Sequence, residues 1–211
     1  MVTSETARNP KIRIGVLALQ GDFEAHIKML ADLGVEGKAI RLPEQLDEIN
    51  GIIIPGGEST AIGKLMVIYG LDKALQQKIH AGIPVWGTCA GLILLAQETD
   101  NAMAGQPLLA SMHIKVRRNA FGSQRESFET DLFVPTLGEE PFHAFFIRGP
   151  SIEAVGPEVE VLATLEDNTI VAVREGNLLG TAFHPEIPGI NGQRDSRFHR
   201  YFLRMIQNVK A

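Results

Sequence analysis

The single cysteine of the chain, Cys89, is the centre of the segment Gly87-Thr88-Cys89-Ala90-Gly91. The apolar residues 83–86 favour a buried strand before it, and residues 92–96 favour a helix after it. A strand that bends this tightly into a helix leaves no room for side chains two positions either side of the bend, which is the pattern of a nucleophile elbow. An unpaired cysteine elsewhere would be explained as a small buried hydrophobe. Here the pattern predicts a thiol at a helix N-terminus, where free N–H groups favour the thiolate.

A nucleophilic cysteine requires a base, and the base requires a group that orients it. His184 and Glu186 flank Pro185 directly after the apolar residues 178–183. Because Pro185 keeps the preceding residue extended, the two side chains project to the same side and can meet. A surface histidine near an acid could have the same His-Pro-Glu sequence. His184, however, directly follows a predicted strand, just as the turn at Cys89 does. The pattern therefore predicts a triad of Cys89, His184 and Glu186.

The remaining histidines have no comparable setting. We expect each to be structural or exposed: His26, His80 and His199 in helical segments, and His113 and His143 among later strands. No cysteine and histidine cluster has the spacing of zinc ligands. We therefore expect no metal and no other cofactor.

A second glycine-rich turn, Gly56-Gly57-Glu58-Ser59-Thr60, follows the apolar residues 51–55. It lacks the further Gly-Lys-Ser/Thr of a phosphate-binding loop. A glycine N–H in this turn, paired with the N–H of Ala90, would form a two-donor oxyanion hole, in which each donor is worth roughly 3 kcal/mol. The other interpretation is a plain turn in which Ser59 or Thr60 caps the next helix.

Strands alternate with helices up to residue 98. The predicted strands are 11–19, 35–41, 51–55 and 83–86, and the predicted helices are 23–33, 43–49, 60–80 (one or two, broken near Gly70) and 92–96. This alternation predicts a parallel sheet with right-handed crossovers. Sites in such sheets form beyond the carboxyl ends of the strands, and both glycine-rich turns fall on that edge.

Beyond residue 98 the pattern changes to short strands with polar turns. After a loop at 101–107, the predicted strands are 112–118, 127–134, 142–147, 158–165, 169–174 and 177–183. Turns at 167–168 and 175–177 are of the hairpin type and favour an antiparallel layer packed on the parallel sheet. Residues 194–209 form an amphipathic helix. The fold class is therefore α/β, with three layers: a mostly parallel central sheet, flanking helices and an antiparallel extension.

The composition narrows the class of protein further. The chain of 211 residues has a net charge of −5 and no basic run longer than Arg117-Arg118, so a nucleic-acid surface is not indicated. A single cysteine excludes an intrachain disulfide, and residues 1–10 lack the apolar core of a signal peptide. No apolar run has transmembrane length. We expect a cytoplasmic protein with a flexible extension at 1–10 and a single domain at 11–211.

Six motifs together resemble the class I, triad-type glutamine amidotransferases and, within that class, the glutaminase subunits of pyridoxal 5′-phosphate synthase. The motifs are Gly15-Val-Leu-Ala-Leu-Gln-Gly-Asp22, Pro55-Gly-Gly-Glu-Ser-Thr60, Gly87-Thr-Cys-Ala-Gly91, Arg118-Asn-Ala-Phe-Gly122, Phe146-Ile-Arg148 and Phe183-His-Pro-Glu186. The resemblance covers about residues 11–208, and Pro-Gly-Gly-Glu-Ser-Thr is its most specific part. It implies a flavodoxin-like fold of this class.

The resemblance also implies an activity and a set of site residues. Cys89 would attack the side-chain amide of L-glutamine, His184 would protonate the departing ammonia, and a γ-glutamyl thioester would remain for hydrolysis. The oxyanion would be held by N–H groups of Gly57 and Ala90. Glutamine would be bound by Gly57, Glu58, Ser59, Arg118, Ile147 and Arg148. The ammonia would pass to a separate synthase (lyase) subunit in a hetero-oligomeric complex, with no nucleic acid or membrane involved.

Two alternatives remain at this stage. The chain could be a glutaminase subunit of another amidotransferase, such as the one of histidine biosynthesis, or a related cysteine hydrolase. It could also be a catalytically silent regulatory or binding module that keeps the fold. The residues do not decide which arginine would take the α-carboxylate of glutamine.

Overall fold

The computed structural model describes residues 12–100, 105–121, 127–189 and 192–209. The strands in this part of the chain are β1 (Arg13–Leu17), β2 (Glu36–Ile40), β3 (Gly51–Ile54), β4 (Val85–Thr88), β5 (Ala96–Asp100), β6 (Met112–Arg117), β7 (Ser127–Leu132), β8 (Phe142–Ile147), β9 (Ser151–Val155), β10 (Glu160–Thr164), β11 (Ile170–Glu175) and β12 (Leu178–Thr181). The α-helices are α1 (Phe23–Asp32), α2 (Ser59–Ile68), α3 (Leu71–His80), α4 (Ala90–Leu95) and α5 (Arg197–Val209).

Five parallel strands form the centre of the molecule in the order β2-β1-β3-β4-β12. Strands β3 and β4 are buried along their whole length, as expected for parallel strands covered on both faces. Trp86 packs against Phe198 and Phe202 of α5 on one face, and its neighbour Gly87 contacts Gly91 of α4 on the other. The three-layer fold with a mostly parallel sheet is therefore confirmed.

The antiparallel extension continues the same sheet. Strand β11 pairs antiparallel with β12, β10 and β9, β9 pairs antiparallel with β6, and β6 pairs parallel with β5 at the edge. The hairpin turns at 167–168 and 175–177 join β10 to β11 and β11 to β12 as predicted. The expectation of a separate packed layer is correct only for β7 and β8, which form a two-stranded sheet of their own.

Several local predictions were wrong. Strand β5 was missed because α4 ends after six residues and the polar run that follows Ala96 has no apolar alternation. Strand β9 was missed because it is short and directly follows Gly149-Pro150. The last helix was predicted from residue 194, but α5 begins at Arg197, where Asp195 accepts a hydrogen bond from the Arg197 N–H. The short helix predicted at 43–49 is present as a 3₁₀ helix, Pro43–Glu48.

Two further predictions concern other parts of the chain. Gly70 separates α2 from α3 in a left-handed conformation, so the break in the 60–80 region is confirmed. The predicted extension at 1–10 and part of the predicted loop at 101–107 lie outside the described residues. Among the described helices, none has both the length and the apolar character needed to cross a membrane.

Candidate active site

Cys89 lies at the bend between β4 and α4. It is the N-cap of α4 and has φ 47° and ψ −101°, a strained conformation for a residue with a side chain. A Cβ added to Gly87 would lie 2.5 Å from the carbonyl carbon of Gly91, and one added to Gly91 would overlap the carbonyl oxygen of Ile54. Both glycines are therefore required by close backbone approach, as the elbow pattern predicted.

His184 and Glu186 lie beside the elbow, just past the carboxyl end of β12. The backbone N–H of His184 donates to the carbonyl of Phe145 on β8, which ties this segment to the neighbouring sheet. His184 Nδ1 and Glu186 Oε1 are 2.8 Å apart. The Glu186 side chain is fully buried and that of His184 nearly so. Because Nδ1 pairs with the carboxylate, Nε2 is the ring nitrogen of His184 that can exchange a proton with Cys89.

The electrostatics of the pair favour charge separation. Burial by itself lowers the pKa of His184, but hydrogen bonds to Cys89 and Glu186, together with their negative charge, raise it to about 10. Burial alone would raise the pKa of Glu186, but the electrostatic interaction with His26 and the hydrogen bond and positive charge of His184 lower it. This setting therefore favours the imidazolium form of His184, held between a carboxylate and the cysteine sulfur.

The glycine-rich turn after β3 lies against this pair. A Cβ added to Gly56 would be under 3.0 Å from His184 Cε1 and 3.4 Å from the Cβ of Cys89. Gly57 has φ 151°, and an added Cβ there would be 2.5 Å from Gln20 Oε1, which accepts a hydrogen bond of 2.7 Å from the N–H of Glu58. The turn is therefore fitted between the imidazole and the loop after β1.

A cavity of about 350 Å³ opens over the cysteine. Its walls are Gly57, Glu58, Ser59, Cys89, Ala90, Ile93, Arg118, Asn119, Ile147, Arg148 and His184. The structure thus brings all of the residues predicted to bind substrate or oxyanion to one cavity, and Glu186 lies behind His184. As the first residue of α4, Ala90 has an N–H without an acceptor in the preceding turn.

Arg118 and Glu58 form one wall of the cavity. Their side chains are 3.1 Å apart, and Arg118 also donates to Gln106 Oε1 at 2.8 Å. Glu58 is the N-cap of α2, accepting from the backbone N–H groups of Thr60 and Ala61. The alternative interpretation, in which Ser59 or Thr60 caps this helix, was therefore wrong, because the longer Glu58 side chain reaches both N–H groups.

Sequence reasoning missed two residues of the cavity and two residues behind it. Asn119 is left-handed with φ 49° and adjoins Arg118, so its place in the predicted motif was a usable signal. Ile93 lies one turn after Cys89. His26 and His199 are fully buried, and His26 Nε2 is 3.4 Å from Glu186 Oε2. The signal for these two was their position on the apolar faces of α1 and α5.

The other histidines lie away from the cavity. His113 is exposed and pairs with Glu175 on β11. His143 contacts Asp131 and Glu129 across the two-stranded sheet, and hydrogen bonds to these two acids raise its pKa despite some desolvation. Among the residues that the structure describes, no group of three or more acidic, histidine or cysteine side chains is arranged to hold a metal ion.

A cysteine on a strand-to-helix elbow, with a histidine and a glutamate at the carboxyl end of a neighbouring parallel strand, is the arrangement expected of a class I glutamine amidotransferase. Residues 16–208 match the SNO glutamine amidotransferase family, and the chain belongs to this family.

Known relatives agree with this assignment. The chain is 57% identical over 191 residues to the pyridoxal 5′-phosphate synthase subunit PdxT of Herpetosiphon aurantiacus, covering 90% of this chain and 98% of the relative. It is 55% identical over 195 residues to the protein of the same name from Moorella thermoacetica, covering 92% and 100%. The predicted family resemblance is therefore confirmed.

Solved structures extend the comparison to the fold. A crystal structure described as a glutamine amidotransferase superposes with a TM-score of 0.84 at 46% identity, covering 92% of this chain and 98% of that one. PurLQS from Thermotoga maritima superposes with a TM-score of 0.69 at 17% identity, covering 95% and 100%. The second likeness concerns the fold alone.

Proposed function

We propose that this chain is the glutaminase subunit of pyridoxal 5′-phosphate synthase, which hydrolyses L-glutamine and supplies ammonia to a separate synthase subunit. The observation that carries the chemistry is the arrangement of Cys89 with the His184–Glu186 pair, whose Nδ1–Oε1 distance is 2.8 Å. The assignment to this synthase is supported by relatives that carry its name at up to 57% identity.

The cavity suits an amino acid with a side-chain amide. Arg118 and Glu58 present a guanidinium and a carboxylate on one wall, and these match the α-carboxylate and α-ammonium of free glutamine. Without substrate, Arg118 and Glu58 pair with each other. Bound glutamine would replace this ion pair with two others, its α-carboxylate with Arg118 and its α-ammonium with Glu58. Arg148, which also lines the cavity, is the second candidate for the carboxylate. The glutamine amide would then point towards Cys89.

In the acylation step, the thiolate of Cys89 attacks the amide carbon of the glutamine side chain. The carbonyl oxygen gains the charge and is stabilised by N–H groups of Gly57 and Ala90. The imidazolium of His184 donates its proton to the amide nitrogen, the C–N bond breaks, and ammonia leaves. A γ-glutamyl thioester on Cys89 is the product, and His184 is now neutral.

The thioester also prepares the second step. Two of the contributions that raise the pKa of His184 come from Cys89, its hydrogen bond and its negative charge, and both are removed when the sulfur is acylated. The neutral imidazole, still oriented by Glu186, can then take a proton from water near neutral pH. Attack of the hydroxide on the thioester breaks the C–S bond, which restores the thiolate and leaves the imidazolium, and the new γ-carboxyl group loses its proton to solvent as glutamate is released.

The partner is expected to dock near the cavity. Gln20, Gly21 and Asp22 follow β1 beside the glycine-rich turn, and Gln20 already holds the N–H of Glu58. We therefore propose that this segment and α1 contribute to the surface that contacts the synthase subunit. A contact there can couple partner binding to the geometry of Gly57. A cytoplasmic location is part of the same proposal.

The decisive experiment measures glutamate release and pyridoxal 5′-phosphate formation with and without the synthase subunit of the same source. We expect stimulation of glutamine hydrolysis by the partner, and product formation from glutamine only when both subunits are present. Cys89→Ala is expected to abolish hydrolysis while retaining the fold and partner binding. His113→Asn is the matched control, because His113 is exposed and outside the cavity. Hydrolysis unchanged in Cys89→Ala would refute the chemistry, and stimulation only by a different synthase would refute the pathway assignment.

A further inference from the structure

Two buried histidines behind the catalytic pair are not used by the mechanism above. His26 on α1 and His199 on α5 have no exposed surface. Both pack against Trp86, with ring centroids 5.8 Å and 4.8 Å away. Burying two imidazoles in an apolar layer costs free energy unless their ring nitrogens have hydrogen-bond partners. The partners of these nitrogens therefore indicate the role of each histidine.

The contacts form a line that leads to the catalytic carboxylate. His199 Nε2 is 3.0 Å from His26 Nδ1, and His26 Nε2 is 3.4 Å from Glu186 Oε2. The hydroxyl of Thr88, the residue before the nucleophile, is also 3.4 Å from His26 Nε2. At 3.4 Å the contact with Glu186 is long for a hydrogen bond, and catalytic hydrogen bonds often tighten only when substrate is bound.

Only one placement of the protons on these two histidines gives every buried N–H an acceptor. Among the described residues, Glu186 Oε2 and His199 Nδ1 have no hydrogen-bond partner. If His199 carried its proton on Nδ1, that N–H would be buried without an acceptor, and a bare lone pair of His26 Nε2 would face the carboxylate. If His199 carries its proton on Nε2, it donates to His26 Nδ1, and His26 Nε2–H then faces Thr88 Oγ1 and Glu186 Oε2, both 3.4 Å away. Every buried N–H has an acceptor in the second placement.

We propose that His26 is a positioning residue for Glu186 and that His199 fixes its tautomer, so that the triad is the outer part of a five-residue buried line. His26 Nε2–H holds the carboxylate oxygen that His184 does not use, and this prevents rotation of the Glu186 side chain. The inference rests on the proposed function, because it gives these histidines a part in the same reaction.

The surroundings keep both histidines neutral, as this role requires. The ionisable groups that act on His26 are Glu186, His184, Asp22 and His199. Desolvation lowers the pKa of His26 and outweighs the negative charge of Glu186 and Asp22. Desolvation and the electrostatic interaction with His26 lower the pKa of His199 well below its usual range. A second imidazolium beside Glu186 would compete with His184 for the carboxylate, and burial avoids this.

The direct test is the tautomeric state of the wild-type protein, which requires no glutaminase activity. Two-bond ¹H–¹⁵N correlation spectra of protein labelled with ¹⁵N-histidine distinguish Nε2–H from Nδ1–H and from imidazolium, and His26→Leu and His199→Phe assign the signals. We expect His26 and His199 both to be neutral and protonated on Nε2 at pH 7. A proton on Nδ1 of either ring, or an imidazolium at His26, would overturn the proposal.

The kinetic test uses a pair of variants at one position. His26→Leu removes the donor to Glu186, and His26→Gln keeps an N–H near the position of Nε2. Because a hydrogen bond to a charged group is worth a factor of about 10 to 100 in rate, we expect kcat for glutamine hydrolysis to fall about 10- to 100-fold in His26→Leu with KM little changed. His26→Gln should recover most of that loss.

A third variant separates positioning from stability. Leu75→Val lies in the core on α3, none of whose residues line the cavity, and it should lower the melting temperature without changing kcat. Equal losses in His26→Gln and His26→Leu, or a loss that simply follows melting temperature, would contradict a positioning role. If the wild-type protein does not hydrolyse glutamine, the proposed function fails, while the tautomer measurement still decides the arrangement of the buried line.

Discussion

Replacement of Gly56 by alanine tests how tightly the glycine-rich turn confines the catalytic imidazole. The added methyl group would lie under 3.0 Å from His184 Cε1, 3.1 Å from Nδ1 and 3.4 Å from the Cβ of Cys89. The turn has no room to retreat, because the carbonyl oxygen of Gly56 already contacts the Cα of Gly21 so closely that a side chain at Gly21 would overlap it. The imidazole must therefore be the group that moves.

The size of the effect follows from that displacement. Carbon atoms in contact are about 3.5–4.0 Å apart, so the ring must shift by about 1 Å. A shift of that size breaks the 2.8 Å bond between His184 and Glu186 or turns the other ring nitrogen away from the sulfur. Misplacement by about 1 Å costs about 100-fold in rate, or roughly 2.7 kcal/mol in the activation free energy. Overpacking lowers stability by about 1–3 kcal/mol.

The measurement is steady-state glutamate release in the presence of the synthase subunit, together with the melting temperature. Gly189→Ala is the matched control, because among the described residues its added methyl group would meet only Gln193 O, at an ordinary contact distance of 3.6 Å. We expect kcat of Gly56→Ala to fall about 100-fold and that of Gly189→Ala to stay at the wild-type level. A Gly56→Ala variant that keeps its kcat within threefold or so of wild type would refute the reasoning that the turn confines His184.

Three further predictions concern the same site. Glu186→Gln should lower kcat about 10²- to 10⁴-fold in the glutamate-release assay, because the amide no longer fixes the tautomer and charge of His184. Gln20→Leu should lower kcat about tenfold, because the N–H of Glu58 loses its 2.7 Å acceptor and the turn beside it loses its anchor. His184 should stabilise the fold most below about pH 6.5 and lose this contribution as the pH rises through about 10, because folding raises its pKa. Urea unfolding of wild type and His184→Asn at several pH values measures this directly.

Each of these has a result that contradicts it. A Glu186→Gln variant of near wild-type activity would remove Glu186 from the mechanism. Loss of activity in Gln20→Leu that is matched by loss of the folded state would assign Gln20 to folding alone. For His184, the difference in unfolding free energy between wild type and variant should shrink by on the order of 1 kcal/mol per pH unit between pH 6.5 and 10. A difference that does not change over this pH range would mean that His184 is neutral in the folded protein.

The local parts of the site could be predicted from the sequence because their signals are short. The elbow at Cys89 requires glycines two positions away on either side, and the extended His184 and Glu186 project together across Pro185. Parallel strands in turn bring both segments to one edge of the sheet. Apolar residues also revealed most strands, whereas β5 was missed because its residues after Ala96 are polar, and β9 was missed because it directly follows Gly149-Pro150.

Contacts between residues far apart in the chain could not be predicted from sequence patterns. His26 and His199 are 173 residues apart and meet at 3.0 Å, and nothing near either residue in the chain indicates the other. Their periodicity could show that each lies on the apolar face of its helix, but not that the two faces meet behind Glu186. A carboxylate buried without solvent needs partners for both oxygens, and His184 supplies one. A buried Glu186 therefore already implies that its second oxygen has a partner. That this partner is His26 could be seen only from the packing of α1 against the sheet.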